Sequence, residues 1–487
     1  MKALEPLLFE LARPGRSGRH VRSAENADIP AGFERRAPLR LPELTEPQVV
    51  RHFTHLAHLN YSVDTGMYPL GSCTMKYNPK INDRAASLFA DVHPRQSYQT
   101  TQGVLAMALE LEQMLAKITG MDFVTLQPAA GAQSEFTALL MFKAYHAKRG
   151  DAATRRRIIV PDSAHGTNPA SAAMCGYQVT TVKSDARGNV DLAALKQALG
   201  PDVAGFMLTN PNTLGLFEER VREVCDAVHA AGGLVYGDGA NMNALLGVAR
   251  PGDLGFDCVH INVHKTFSTP HGAGGPGAGP LCVKAHLRPF LPKPWIVKES
   301  DGTYHYDSAR EDQPPSGIGD SIGSVKQRLG NFGVLVRAYT YMKTLGEEGL
   351  VETGRDAILA ANYLLALLRA EYDVAYDRTP MHEFVLSAAK QKKQGASALD
   401  VAKALIDEGF HPPTIYFPLI VPEALMIEPT ETEPKETLDA FAAAMLRIAE
   451  KVKTDPASVR DAPRNAPLRR LDEVTAARKP VLRYRPE

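Results

Sequence analysis

The chain has 487 residues, with 55 Lys and Arg against 55 Asp and Glu, so its formal net charge is zero. That balance excludes a protein devoted to gripping nucleic-acid phosphates, which needs a surplus of cations. Hydrophobic residues at 44% and charged residues at 23% exclude a disordered or fibrous chain.

The sequence has no run of 18 or more apolar residues, so no membrane-spanning helix is expected. Five widely spaced cysteines (Cys73, Cys175, Cys225, Cys258, Cys282) make neither a disulfide framework nor a zinc motif, so reduced thiols in a cytoplasmic chain are expected. The segment MKALEPLLFELA does not read as a secretory signal, because Glu5 and Glu10 interrupt its apolar run and no cleavage site follows. The profile is that of a metabolic enzyme, and at about 150 residues per domain it has room for two or three domains.

Residues 1–60 are rich in Pro and Arg, with a basic stretch at 12–22, and read as an arm lying on a neighbouring subunit or on the chain's own surface. Residues 61–83 are dense in Gly, Pro, Asn and Ser and predict a long irregular loop. Such loops are more often functional than idle. From 103 an amphipathic helix is expected, with Leu105, Leu109, Leu111 and Leu115 near one face.

Short apolar runs then alternate with helical stretches. Strands are expected at 122–127, 157–161, 177–183, 205–210, 234–240, 258–265 and 280–284, and helices at about 134–148, 191–199 and 217–231. This alternation predicts an α/β fold with a mainly parallel sheet covered by helices. Residues 285–325 are Pro-rich and irregular. Two long helices follow at about 325–346 and 351–369. A smaller α+β unit has strands in HEFVLSAA, TIYFP and LMIEP and helices at 398–409 and 434–452. The expected domains are an arm and loop (1–100), a large cofactor-binding α/β domain (101–325), a small α+β domain (326–454) and an extended tail (455–487).

Ligands of open α/β sheets bind outside the carboxyl ends of the strands. Five successive strand ends deliver PAAGAQSE, DSAHGTNPAS, PNT, Asp238 and Lys265 to one rim. In CVHINVHK, apolar Val259, Ile261 and Val263 alternate with His260, Asn262 and His264, and Lys265 is expected at the strand's end. A lysine in a partly desolvated pocket can form a Schiff base with an aldehyde cofactor. Asp238 closes the preceding strand. Pyridoxal phosphate needs such a carboxylate beside its ring nitrogen, which keeps the ring an electron sink. Gly131, Ala132, Gln133 and Ser134 place small side chains and backbone N–H groups at a helix start, where a phosphate would sit. His165 could lie over the ring face.

The run GAGGPG at 272–277 matches the dinucleotide fingerprint GxGxxG, but Pro276 and Pro280 follow and no helix begins, so a nicotinamide or flavin site is not expected. No phosphate-binding P-loop motif is present. His260, His264 and His271 lack a nearby carboxylate or Cys and are read as packing near the cofactor rather than as metal ligands.

These residues resemble the pyridoxal-phosphate glycine decarboxylase family, the P-protein of the glycine cleavage system. The matching strings are YPLGSCTMKYNPKIN (68–82), LQPAAGAQSEF (126–136), DSAHGTNPASA (162–172), TNPNTLGLFE (209–218), DGANMNAL (238–245), HINVHKTFSTPHGAGGPGAGP (260–280), HPPTIYFP (411–418) and MIEPTETE (426–433). The chain is similar to the C-terminal, lysine-bearing half of the family's double-length form, made as a separate subunit 2; the opening LLFELARPGRSGRH is part of that likeness. HGAGG stands where HGGGG is usual and PAAGAQSE where PNSGAQGE is usual; both departures keep small residues.

The resemblance implies a fold-type I, aminotransferase-like pyridoxal-phosphate enzyme with glycine dehydrogenase (aminomethyl-transferring) activity. Lys265 would hold the cofactor as a Schiff base, Asp238 would pair with the ring nitrogen, and His165 would stack on the ring. Gly131, Ala132, Gln133, Ala240 and His264 would complete the cofactor site. Ser72, Cys73 and Thr74 would line the glycine or lipoyl pocket. In this polar loop Cys73 reads as a plain pocket-lining thiol, with a redox-sensitive thiol the alternative. Glycine would lose its carboxylate as carbon dioxide, and the aminomethyl group would pass to the lipoyl arm of an H-protein. A companion subunit 1, in an α2β2 assembly, is also implied. Two other readings share parts of the pattern. One is another fold-type I lyase, desulfurase, aldolase or decarboxylase without a lipoyl partner. The other is a scaffolding subunit, which should lack Lys265 and Asp238.

Overall fold

Seven short apolar runs pair into one open sheet in the computed structural model, which describes residues 5–18, 30, 32–33, 35–37, 39–272, 274–307 and 320–483. They are β1 (Phe123–Thr125), β2 (Arg157–Pro161), β3 (Gln178–Val182), β4 (Val203–Thr209), β5 (Leu234–Gly239), β6 (Cys258–Ile261) and β7 (Leu281–Val283). Their order is β1-β7-β6-β5-β4-β2-β3. Only β7 runs antiparallel to its neighbours, β1 and β6; the other pairs are parallel.

Parallel strands need crossovers, and those crossovers are helices that cover the sheet. The two faces therefore have separate cores. Ile159, Phe206, Leu208, Val235 and Val259 pack in one. Their sequence neighbours Ile158, Val160, Met207, Leu234, Tyr236 and Cys258 pack in the other. This corrects the alternation expected for 258–265. Every residue of β6 is buried, His260 included, because neither face meets water.

The helix at Gln102–Thr119 buries Leu105, Leu111 and Leu115 as expected and ends on Gly120 in the left-handed conformation. The Gly131–Lys148 helix begins three residues earlier than expected, directly behind β1. Within the stretch read as irregular, a hairpin forms from β8 (Ile296–Lys298) and β9 (Tyr304–Tyr306); 308–319 lie outside the described residues. The two long helices form one run, Phe332–Leu368, broken at Gly346, whose φ of 67° and ψ of −171° are not helical. That run starts at 332 rather than 325.

A second sheet contains β10 (Asp373–Val374), β11 (Phe384–Ser387), β12 (Thr414–Ile415) and β13 (Ala424–Ile427), antiparallel in the order β10-β11-β13-β12. Phe384, Leu386 and Leu425 from it join Leu364, Leu368, Phe441 and Met445 from helices in one core.

The chain divides into two compact units, Met67–Ala462, which holds both sheets, and Met1–Gly66 with Pro463–Glu487. In the second of these, Glu46–Ala57 is a helix whose start is fixed by Gln48, whose Oε1 accepts the Thr45 N–H at 3.0 Å. Of the basic stretch at 12–22, residues 19–22 lie outside the described residues, as do residues 19–20 of the opening string. The tail from 455 is not simply extended. Asp455 caps a helix at Pro456–Arg460, where Pro456 occupies the first helical position that proline tolerates, and Asp472 caps another at Glu473–Arg478.

Candidate active site

Strand β6 stops at Ile261, and Asn262 opens a single helical turn, Val263–Thr266. Lys265 therefore sits on this turn, one step beyond the strand end on which it was expected. Val263 and Phe267 are fully buried and anchor the turn, and Lys265 is only half-buried. Its Nζ donates to the Ser72 carbonyl at 2.9 Å.

Asp238 lies one strand away, paired in register with His260 of β6. It is 4% exposed. Its Oδ1 accepts the Ala240 N–H at 3.0 Å, and its Oδ2 accepts from Asn168 Nδ2 at 3.2 Å. Burial opposes ionisation, but His260, the Ala240 and Asn168 donors and Lys265 outweigh it, so the carboxyl stays below its ordinary range. His260 is itself pushed down by burial. Its Nε2, 3.5 Å from Asp238 Oδ1, has no hydrogen-bond partner.

His165 stands at the rim after β2, exposed, edge-on to Phe417 at 5.7 Å. Its Nδ1 lies 2.9 Å from the Thr167 hydroxyl oxygen and 3.3 Å from the Thr167 amide nitrogen. Although the residue reaches the surface, partial desolvation of the ring by the protein around it lowers its basicity; Asp238 opposes this and Lys265 adds to it. Behind it, Thr167 donates to Glu135 Oε1 at 2.8 Å, and Ser171 donates to Glu135 Oε2 at 3.3 Å. Burial first, and then Asp238, push the Glu135 carboxyl up to about 7.

The helix start at Gly131 supplies first-turn N–H groups that have no partner within the helix. Gly131 has no room for a side chain: a Cβ would strike Asn262 and His260. Ala132 is exposed there. Gln133 and Ser134 do not offer side chains to a phosphate. Gln133 accepts the Ala129 N–H at 2.7 Å and donates to the Val325 carbonyl at 2.8 Å, and the Ser134 hydroxyl donates to the Gly279 carbonyl. The Ser134 N–H already donates to the Ala130 carbonyl at 3.1 Å. Gly279 passes so close to Ala130 that a Cβ would lie 2.5 Å from its carbonyl carbon. Gly279→Ala is therefore expected to push the helix start outward and weaken retention of pyridoxal phosphate about tenfold or more, measured by dialysis; unchanged retention would contradict this.

The run 272–277, of which Ala273 lies outside the described residues, leads into β7 and opens no helix. His264 and His271 pack edge to face at 5.2 Å. Burial pushes His264 down to about 3, with His271 and Lys265 adding to it; burial and Lys265 push His271 to about 4.

Several residues of the site were not singled out in the sequence. Glu383 and Glu428 are fully buried beside the Ser72–Thr74 loop. Glu383 accepts the Ser72 N–H at 2.6 Å, and Thr74 donates to Glu428. Burial pushes Glu383 up to about 7 and Glu428 well above the carboxylate range. Burial also raises the Cys73 thiol; Lys265 opposes this, while Glu428 and Glu383 add to it. Buried Lys76 bonds Glu431 at 2.6 Å, Asn243 at 2.8 Å and the Thr266 carbonyl of the lysine turn at 3.1 Å. The local trace of Glu383 and Glu428 is that each directly abuts a short apolar strand, Glu383 before Phe384 and Glu428 after Ile427, which does not disclose the distant loop each one holds. His382, Glu383 and Glu428 have ligand atoms within 4.8 Å of one another, but both carboxylates already serve the loop.

An open sheet of this order, with a buried carboxylate closing β5, a lysine on the turn after β6 and a helix start after β1, defines a fold-type I pyridoxal-phosphate enzyme. The crystal structure of a glycine decarboxylase (P-protein) in inhibitor-bound form superposes with a TM-score of 0.71 at 22% identity, covering 86% of this chain and 93% of that one. A Lactobacillus brevis glutamate decarboxylase shares the fold at a TM-score of 0.64 and 11% identity, covering 88% and 96%.

The chain belongs to the glycine cleavage system P-protein family: residues 20–304 match that family, and residues 353–470 match the family described as glycine dehydrogenase, C-terminal domain. A relative from Desulforamulus reducens, called probable glycine dehydrogenase (decarboxylating) subunit 2, is 54% identical over 492 residues, covering 99% of this chain and 100% of its own. One of the same name from Caldanaerobacter subterraneus is also 54% identical, covering 99% of each.

The side chains fit the family's cofactor, pyridoxal phosphate. An ionised carboxylate in a dry pocket, an unpartnered His260 nitrogen beside it and a helix start cleared of side chains are what a cationic ring nitrogen and a phosphate require.

Proposed function

We propose that this chain is the lysine-bearing subunit of a two-subunit glycine dehydrogenase (decarboxylating). It takes glycine, releases carbon dioxide and passes the aminomethyl group to the lipoyl arm of an H-protein. The observation that carries the reading is the pairing of Lys265 with the buried, ionised Asp238 on adjacent elements at one sheet end, in a chain so similar along its length to proteins bearing the subunit 2 name.

Bound pyridoxal phosphate supplies an electron sink for the pair left when a carboxylate departs. The residues divide the remaining work. The Lys265 amine holds the cofactor aldehyde. Asp238 holds the proton on the ring nitrogen and is itself held ionised by Asn168 and the Ala240 amide. The Gly131 helix start and the Ala132 and Gln133 amides bind the phosphate. His165 covers the ring from the rim. Ala240 and His264 close the walls, and Ser72, Cys73 and Thr74 form the floor toward the incoming glycine or lipoyl group.

No helix among the described residues is long and apolar enough to cross a membrane, in keeping with a cytoplasmic role. The companion subunit 1, in an α2β2 assembly, and the H-protein are part of this proposal. With no net charge to steer association, docking must rely on local patches.

The test is exchange of labelled carbon dioxide into glycine. The chain with its companion and a lipoylated H-protein is expected to exchange label, and the chain without its companion is not. Full exchange by the isolated chain would refute the need for a companion. Exchange that proceeds equally without H-protein would favour a lyase with no lipoyl partner.

A further inference from the structure

Ser72 is a non-glycine residue with a left-handed backbone, φ 63°. An L residue resists that conformation, and it persists where its surroundings over-determine it. The small sheet does so here. Leu70 bridges to Ile427 of β13. Thr414 Oγ1 donates to the Gly71 carbonyl at 2.8 Å, and a Cβ on Gly71 would strike Met426. The register of β11 and β13 pairs Phe384 with Ile427, which sets Glu383 and Glu428 side by side at one sheet end. Glu428 accepts from Thr74. Glu383 Oε2 accepts the Ser72 N–H at 2.6 Å, and its Oε1 accepts from Asn241 Nδ2 at 3.1 Å. Held this way, the Ser72 carbonyl faces Lys265 and accepts from its Nζ at 2.9 Å.

We propose that Glu383, acting through the Ser72 backbone, is a positioning residue for the Lys265 amine. It fixes the carbonyl that docks the amine whenever the amine is not bound to cofactor, including the interval in which substrate has displaced it. A four-carbon side chain released into an open pocket samples many rotamers, and a fixed acceptor beside the reacting carbon shortens its return. The route uses only the N–H and carbonyl of Ser72. The inference rests on Lys265 being the cofactor lysine.

The experiment follows the visible Schiff-base band when cofactor-free full-length chain is mixed with pyridoxal 5'-phosphate. Glu383→Ala is expected to capture cofactor about tenfold more slowly, the size of one charge-assisted hydrogen bond. Glu383→Gln, which keeps an oxygen for the Ser72 N–H, is expected to recover most of that rate. Should Glu383→Ala not fold, Asn241→Ala, which removes the second hold on Glu383, is read instead, and about threefold slower capture is expected.

Wild-type capture by folded Glu383→Ala, or by Asn241→Ala in its place, would overturn the proposal, as would a failure of Glu383→Gln to recover. Lys265→Ala separates the two claims. A band in that variant would overturn the cofactor-lysine reading itself. Its absence, together with an unaltered Glu383→Ala, would overturn only the positioning role.

Discussion

Lys265→Ala is expected to remove the visible Schiff-base absorption and to lower glycine–carbon dioxide exchange by on the order of 10⁴-fold or more, the scale at which loss of a covalent catalytic group is felt. The fold should survive. The turn that carries Lys265 is anchored by Val263 and Phe267, both fully buried, and alanine is at ease in a helical turn. The side chain itself is only half-buried, and its Nζ bond to Ser72 joins no core. Absorption spectroscopy, circular dichroism and the exchange assay together check this. A variant that keeps the band and the exchange would remove Lys265 from the mechanism.

Asp238→Asn is expected to keep the fold and the cofactor but to lose about 10²–10³-fold in exchange rate, the cost of deleting one preorganised electrostatic group. The substitution is isosteric. An asparagine at 238 would turn an amide donor toward Asn168, but the Asn168 Oδ1 has no partner, so a flip of that amide meets the new donor. What is lost is the charge that keeps a proton on the ring nitrogen. Because the Asp238 carboxyl is held below its ordinary range, its contribution to stability is present above about pH 4 and fades as pH falls through the depressed value. The asparagine variant should lack that part of the acid transition. Steady-state exchange and acid-unfolding curves read both effects, and wild-type turnover by Asp238→Asn would refute the role.

Much of this arrangement was legible in the residues. Strand β2 was bounded correctly by its apolar run, and β4 and β5 nearly so, because central parallel strands are buried on both faces and so read as unbroken apolar segments. The rim logic then placed Asp238, Lys265 and the Gly131 helix start together. The errors have physical causes. CVHINVHK alternates like a half-exposed strand, but His260 is buried beside Asp238 and the chain turns helical after Asn262, so Lys265 is presented by a turn.

Gln133 and Ser134 were read for backbone N–H groups at a helix start; what the sequence does not show is that their side chains bond Val325 and Gly279, partners far away in the sequence. Glu383 and Glu428 were missed for the same reason. Each lies more than 300 residues from the Ser72–Thr74 loop it supports, and no local pattern carries a contact of that range.

The central claim is that Lys265 of this chain holds the cofactor, and borohydride reduction of the loaded chain followed by peptide mass mapping tests it most directly. The account predicts one pyridoxyl-phosphate adduct, on Lys265. An adduct on any other lysine, with Lys265 unmodified, would contradict it.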